Sequence, residues 1–168
     1  MASRLIRVGR SRTGLGLFAT KPIKKKGYIA TYRGPLISNP EAEARERRGS
    51  RYLFELNSRW TIDGSSRWNL ARYANHSCRP NAEAVERKRK IVLIARRGIK
   101  PGEEITYDYG KDYFVAFIKK SGCRCVKCRE KRAERQRAAR RRAARRSKTR
   151  RSKAGRSAAR RSTARRQR

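Results

Sequence analysis

Residues 74–81 read ANHSCRPN and hold the single histidine of the chain, His76, beside Asn75 and two residues before Cys78. Asn75, His76 and Asn81 offer several side-chain donors and acceptors within seven residues, a density suited to a small polar ligand. His76 is a candidate general base, and a Cys78–His76 dyad is one arrangement open to it, although no nucleophile stands in a known triad spacing. GEEITYDYG at 102–110 carries Tyr107 and Tyr109 at i and i+2, one face of a strand. Two hydroxyls there either line a pocket and orient a nucleophile or belong to a packed aromatic pair. CRCVKC at 123–128 supplies Cys123, Cys125 and Cys128, and Cys78 is the only other cysteine. Four thiolates complete a tetrahedral structural Zn²⁺ site, which would tie the C-terminal segment to the central loop across 45 residues and contribute folding free energy. The competing reading is a redox pair plus a spare thiol, with Cys78 a buried small residue. In SRTGLGLFAT at 11–20, Gly14 and Gly16 either let the backbone approach a ligand or turn a hairpin.

These residues must be positioned by a small scaffold, since 168 residues give room for one domain. Short strands are expected at Leu5–Val8, Tyr28–Arg33, Arg51–Leu56, Trp60–Asp63, Ile91–Ala95 and Ile105–Tyr107. A helix is expected over 40–48 behind Pro40, and one helical turn over Asn69–Tyr73. The fold class is mainly β.

Charge divides the chain differently. Residues 1–128 carry a net +18, and the 40 residues from Arg129 to Arg168 carry another +18 with no aromatic, Leu, Ile or Val. Such a tail cannot bury enough apolar surface to fold by itself and is expected to be disordered in isolation, with EKRAERQRAARRRAARR able to become helical on an acidic partner. Its field attracts polyanions, so DNA or RNA is the expected partner of the tail. No stretch of about 18 apolar residues spans a membrane and no apolar signal segment opens the chain. The expectation is an intracellular protein, in cytoplasm or nucleoid, or in the nucleus of a eukaryote, with reduced thiols.

In that order GxG, RYxNHSCxPN, GEEITYDYG and a cysteine cluster resemble the SET-domain protein lysine methyltransferases with a post-SET zinc segment. The resemblance covers about residues 3–130. It implies a SET domain over 3–110, a post-SET segment over 111–130 and a basic tail over 131–168. The implied fold is a β-clip of several short sheets with a C-terminal pseudoknot. S-adenosylmethionine would be bound by Gly14, Leu15, Gly16, Leu17, Asn75 and His76, with Tyr52 and Arg72 beside them. Tyr32, Phe54 and Tyr107 would wall a channel for the substrate lysine, and Tyr109 would take the place of the catalytic tyrosine. The zinc ligands would be Cys78, Cys123, Cys125 and Cys128. Here the cluster is CxCxxC, whereas the family more often places four residues before the last cysteine.

A lysine ammonium, with an ordinary pKa of about 10.4, must lose a proton before its nitrogen can attack a methyl group. An apolar aromatic channel disfavours the charged form. Tyrosine at 107 implies mono- or dimethylation, because its hydroxyl holds a water or the amine where further methyl groups would fit. Candidate substrates are DNA-packaging, ribosomal or histone proteins, and Lys148 and Lys153 of the tail itself. The alternative reading is a nucleic-acid-binding architectural protein with a catalytically idle SET scaffold. Oligomeric state is left open by the sequence.

Overall fold

The computed structural model describes residues 5–166, with side chains described as far as Arg146. Residues 3 and 4, where the first domain is expected to begin, and the side chains of Lys148 and Lys153 lie outside the described residues. Two units are present, Met1–Lys127 and Cys128–Arg168.

In the first unit the strands run in chain order: β1 (Ile6–Ser11), β2 (Gly14–Ala19), β3 (Tyr28–Tyr32), β4 (Leu36–Ser38), β5 (Leu53–Glu55), β6 (Trp60–Asp63), β7 (Asn75–His76), β8 (Ala82–Arg87), β9 (Lys90–Ala95) and β10 (Glu104–Tyr107). They assemble into three small sheets, β1-β2-β10-β7, β3-β9-β8 and β4-β6-β5. This is the mainly β fold of several short sheets that the sequence implies. The Gly14–Gly16 segment is strand, paired antiparallel with β1 from Ile6↔Ala19 to Ser11↔Gly14, and the hairpin turn itself is made by Arg12 and Thr13, just before these glycines.

The IVLIA run forms most of β9, and all five of its residues are buried. It lies between β3 and β8, and Leu93 packs with Leu17, Ile29, Ile99 and Ile105 in one core. Each such side chain contributes about 1.5–3 kcal/mol on leaving water. β8 and β9 are joined by Lys88 and Arg89, both at positive φ, as a two-residue hairpin turn matching the strand twist requires.

Ser38 caps the helix Asn39–Arg47 (α1), accepting a bond from the Glu41 N–H at 3.4 Å, and Pro40 sits in its first turn. Arg45 ties α1 to β6 by binding Glu41 at 2.5 Å and the Asp63 carboxylate. Burial alone would raise the Asp63 pKa, but hydrogen bonds from Ser65 and the Arg45 guanidinium hold it below the ordinary value. A 3-10 turn at Leu70–Tyr73 follows, as expected. After β10 come a short helix, Lys111–Tyr113 (α2), and a π-helical segment, Phe114–Ile118.

From Val126 the chain continues as the helix Val126–Arg166 (α3), which makes up the second unit. Every side chain from Glu130 to Arg146 is exposed. This agrees with a tail whose composition cannot bury apolar surface by itself. Its Ala, Arg, Gln and Glu are good helix formers, and that local preference requires no buried face. Among the described residues no helix is long and apolar enough to cross a membrane.

Candidate active site

The NHSCxPN loop is held against the GEEITYDY strand by its own asparagines. β7 pairs in parallel with β10, Thr106 opposite Asn75 and Tyr107 opposite His76. The Asn75 amide donates to the Leu15 carbonyl at 3.0 Å and to Glu104 Oε1 at 2.8 Å. Gly16 permits this, because a Cβ there would stand 2.6 Å from that Glu104 oxygen. Asn81, 3% exposed, donates to the Glu104 carbonyl at 2.8 Å and accepts from the Thr106 N–H at 2.9 Å. The GxG, NHSC and GEE motifs are thus one hydrogen-bonded unit. β10 runs between β2 and β7, where the chain crosses itself in sequence order.

This unit presents the aromatic residues. Tyr109 donates its hydroxyl proton to the Ala74 carbonyl at 2.8 Å, and its N–H donates to His76 Nδ1 at 3.3 Å. Its ring lies 4.8 Å from Tyr107 and 4.9 Å from Tyr113. Tyr32 donates to the Tyr52 carbonyl at 2.9 Å and meets Phe54 at 5.3 Å between ring centroids; Phe54 in turn stacks on Tyr107 at 6.4 Å. Burial pushes the Tyr32, Tyr107 and Tyr109 hydroxyls well above the ordinary tyrosine value. At neutral pH they are protonated and act as hydrogen-bond groups, not as phenolate bases. His76 is held below its ordinary pKa by burial, partly offset by Asp108. With Nδ1 accepting from Tyr109, the ring proton resides on Nε2, 3.4 Å from Cys78 Sγ.

Two cavities meet at this cluster. One, of about 560 Å³, is walled by Tyr32, Phe54, Tyr107 and Tyr109. The other, of about 580 Å³, is walled by Leu15, Tyr73, Asn75, His76 and Phe117. Arg51, Tyr52, Arg72, Tyr109 and Tyr113 line both and so form the partition between them. Their charges are opposed. Glu43, Glu46, Glu55 and Asp112 line the first together with Lys111 and the shared Arg51 and Arg72, which leaves it an excess of one acid, whereas the second is lined by Arg51, Arg72 and Arg124 and by no carboxylate. Arg72 lies over the Tyr52 ring at 3.7 Å, donates to the Ser65 carbonyl, and keeps its buried Nε without a hydrogen-bond partner.

The expected cofactor residues divide accordingly. Leu15, Tyr52, Arg72, Asn75 and His76 line the second cavity. Gly14, Gly16 and Leu17 do not, and Leu17 is fully buried in the core. The expected channel residues, Tyr32, Phe54 and Tyr107, all line the first. Tyr113 and Arg51, which touch both spaces, are the residues that motif reading overlooked. The available signal was the i, i+4, i+8 spacing of Tyr109, Tyr113 and Phe117, whose rings stack in sequence, Tyr113 on Phe117 at 4.7 Å.

Cys78, Cys123 and Cys125 bring their sulfur atoms within 4.8 Å of one another, and Cys78 to Cys123 is 3.8 Å. None of them is in a disulfide, and burial pushes the Cys123 thiol up to about 11. Three converging sulfurs with no disulfide are a donor set suited to a thiophilic divalent metal. Cys128, the fourth expected ligand, is the first residue of the second unit and follows Cys125 by three positions.

Gly64 leaves room for the ring of Tyr32, a residue of the first cavity's wall. A Cβ at this position would stand 2.4 Å from the Tyr32 ring. Gly64→Ala must displace Tyr32 from its bond to Tyr52, and overpacking of this kind costs about 1–3 kcal/mol. The expected result is a lower urea midpoint with an unchanged slope, read by tryptophan fluorescence.

Residues 14–110 match the SET domain family. The chain is 42% identical over 117 residues to a Caenorhabditis elegans protein named histone-lysine N-methyltransferase set-2, a span of 63% of this chain and 8% of that protein. Over 121 residues it is 43% identical to the H3 lysine-4 specific histone-lysine N-methyltransferase of Schizosaccharomyces pombe, covering 66% and 13%. Over 129 residues it is 41% identical to human histone-lysine N-methyltransferase 2D, covering 70% and 2%. The chain thus spans 13% or less of the length of these relatives. Among solved structures, a humanized mutant of the Chaetomium thermophilum Polycomb Repressive Complex 2 bound to the inhibitor GSK126 superimposes with a TM-score of 0.57 at 32% identity, covering 65% of this chain and 15% of that one. With its GxG, NHSC and TYDYG motifs joined around two abutting cavities, this chain belongs to the SET-domain family.

Proposed function

We propose that the chain is an S-adenosylmethionine-dependent protein-lysine N-methyltransferase. The observation that carries this reading is the pair of oppositely charged cavities sharing the wall made by Tyr52, Arg72, Tyr109 and Tyr113. The carboxylate-free second cavity fits the cofactor: Arg72 and Arg51 would hold its carboxylate, and the Tyr73 and Phe117 rings its flat base. When bound there, S-adenosylmethionine supplies an electrophilic methyl group. The four-acid first cavity attracts a lysine ammonium, and its Tyr32–Phe54–Tyr107 wall then disfavours the charge and promotes loss of the proton from Nζ. Since the tyrosines are held protonated, that proton leaves to water. Tyr109, whose hydroxyl is bonded to Ala74, and Tyr107 position the neutral amine, and such placement supplies much of the rate. These features favour an enzyme over an idle scaffold, which has no need of an unpaired buried Arg72 Nε.

Zn²⁺ held by Cys78, Cys123, Cys125 and Cys128 belongs to the same reading, as a structural ion. The substrate class is a basic or nucleic-acid-associated protein such as a histone, a DNA-packaging or a ribosomal protein. The Arg-rich tail would keep the enzyme on DNA or RNA, with salt-dependent affinity, in nucleoid or chromatin. Product state tests the lysine side. Mass spectrometry of a mixture of basic proteins, incubated with the full chain and S-adenosylmethionine, is expected to show mainly mono- and dimethyllysine. Tyr107→Phe is expected to raise the proportion of higher states, and unchanged products would count against Tyr107 as the limiter.

A further inference from the structure

Residues 1–128 carry a net +18, a field that repels basic peptides, yet four of their acidic side chains converge on the lysine-side cavity. Glu46 comes from α1, Glu55 from β5 and Asp112 from α2, so they stand on three separate elements around its mouth. All three are exposed, and among the described residues none has an ion pair or a side-chain hydrogen bond. Glu43, the fourth, is 3.8 Å from Arg47. The cations on this wall are otherwise engaged: Arg51 lies over Phe117 at 4.3 Å, and Arg72 over Tyr52. A second, independent observation points to a ligand in the same space. Tyr107 is only 7% exposed, lines this cavity, and among the described residues its hydroxyl has no hydrogen-bond partner. The hydroxyl retains accessible surface although the residue is buried, so it opens into the cavity that the ring lines. The interior thus offers an unused acceptor for an amine, and the rim offers unused carboxylates for cations beside it.

We propose that Glu46, Glu55 and Asp112 select the substrate, so that the preferred target is a lysine with arginine or lysine on both sides. The inference rests on the methyltransferase reading and adds which lysines the site takes. Lys111 is the one cation on the rim outside the partition and does not outweigh three carboxylates. Exposed carboxylate–guanidinium pairs each change affinity a few-fold, so three together give a preference on the order of tenfold, weaker at high salt. The chain's own segment RRSKTRRSKAGR at 145–156 is a peptide of this class.

The test uses the full chain and two synthetic peptides, RRSKTRRSKAGR and the same sequence with each arginine replaced by glutamine. Binding is followed by fluorescence anisotropy and turnover by labelled methyl transfer, for the native chain and for Glu46→Gln/Glu55→Gln/Asp112→Asn. The native chain is expected to favour the arginine peptide about tenfold in Kd and KM, and the triple variant to favour it by less than twofold. An equal preference in both proteins, or none in the native chain, overturns the proposal. Should neither peptide be methylated while the acid-dependent binding preference persists, charge selection stands and the methyl-transfer reading falls. An unaltered urea midpoint in the triple variant confirms that the comparison is between folded proteins.

Discussion

Tyr109→Phe is expected to lower kcat for lysine methylation by a hundredfold or more while leaving the fold intact. Tyr109 sits on the partition between the cavities, with its hydroxyl donating to Ala74 and its ring clamped between Tyr107 and Tyr113. Phenylalanine preserves the ring contacts, so the packing free energy is retained. What is lost is one oriented hydroxyl on the partition, where the proposed function has amine and methyl group meet. Removal of a single preorganised polar group from such a position typically slows reactions by about 10²–10³. Because the same substitution leaves the Ala74 carbonyl unpaired, a stability loss of about 1–3 kcal/mol accompanies it. Labelled methyl transfer at saturating peptide separates the two effects, since a stability loss of that size leaves most molecules folded. Activity within a few-fold of the native chain would remove Tyr109 from the chemistry.

Removal of zinc is expected to have the larger structural effect. Ser121, Gly122, Cys123, Arg124 and Cys125 form part of the wall of the second cavity. The thiols of Cys78, Cys123 and Cys125 are what fasten that wall to the NHSC loop. Structural zinc sites contribute about 10–16 kcal/mol in small metal-dependent folds. That exceeds much of the 5–15 kcal/mol by which whole domains are stable. Purified protein is therefore expected to contain one equivalent of zinc by elemental analysis. Chelation, or Cys123→Ser, is expected to release it, lower the melting temperature strongly and abolish binding in the second cavity. Metal-free protein that forms a reversible Cys123–Cys125 disulfide and keeps its melting temperature would support the redox reading of these thiols instead.

The motifs were legible because their chemistry is local. ANHSCRPN, TYDYG and CRCVKC each place unusual side chains close together, and IVLIA is apolar enough to be central in any sheet. What escaped sequence reading depends on partners far along the chain. β8 reads AEAVER and resembles a surface segment; it is a strand because β9 pairs with it along its length. Asn69 is polar yet wholly buried, since it accepts from Arg33 at 3.1 Å and donates to Gly64 at 3.2 Å, 36 and 5 residues away. Leu17 is part of a motif expected to bind cofactor but is wholly buried, whereas Leu15, two residues earlier at the exposed start of the same strand, lines the cavity; core packing decides between them, and the motif alone does not show it. The acids at 46, 55 and 112 become a group only once α1, β5 and α2 surround one cavity. In the tail, composition correctly indicated that nothing would be buried between Glu130 and Arg146, while its helix follows from residue preference alone.

The most direct measurement is equilibrium binding of S-adenosylmethionine to the intact chain by isothermal titration calorimetry. Saturable binding near one molecule per chain, weakened when Arg72 is replaced by alanine, is the expected result, because in the proposed reading the cofactor's carboxylate pairs with that guanidinium in a cavity lined by no carboxylate. An absence of binding by zinc-loaded, folded protein would contradict the methyltransferase reading and leave a SET scaffold whose work is done by its basic tail.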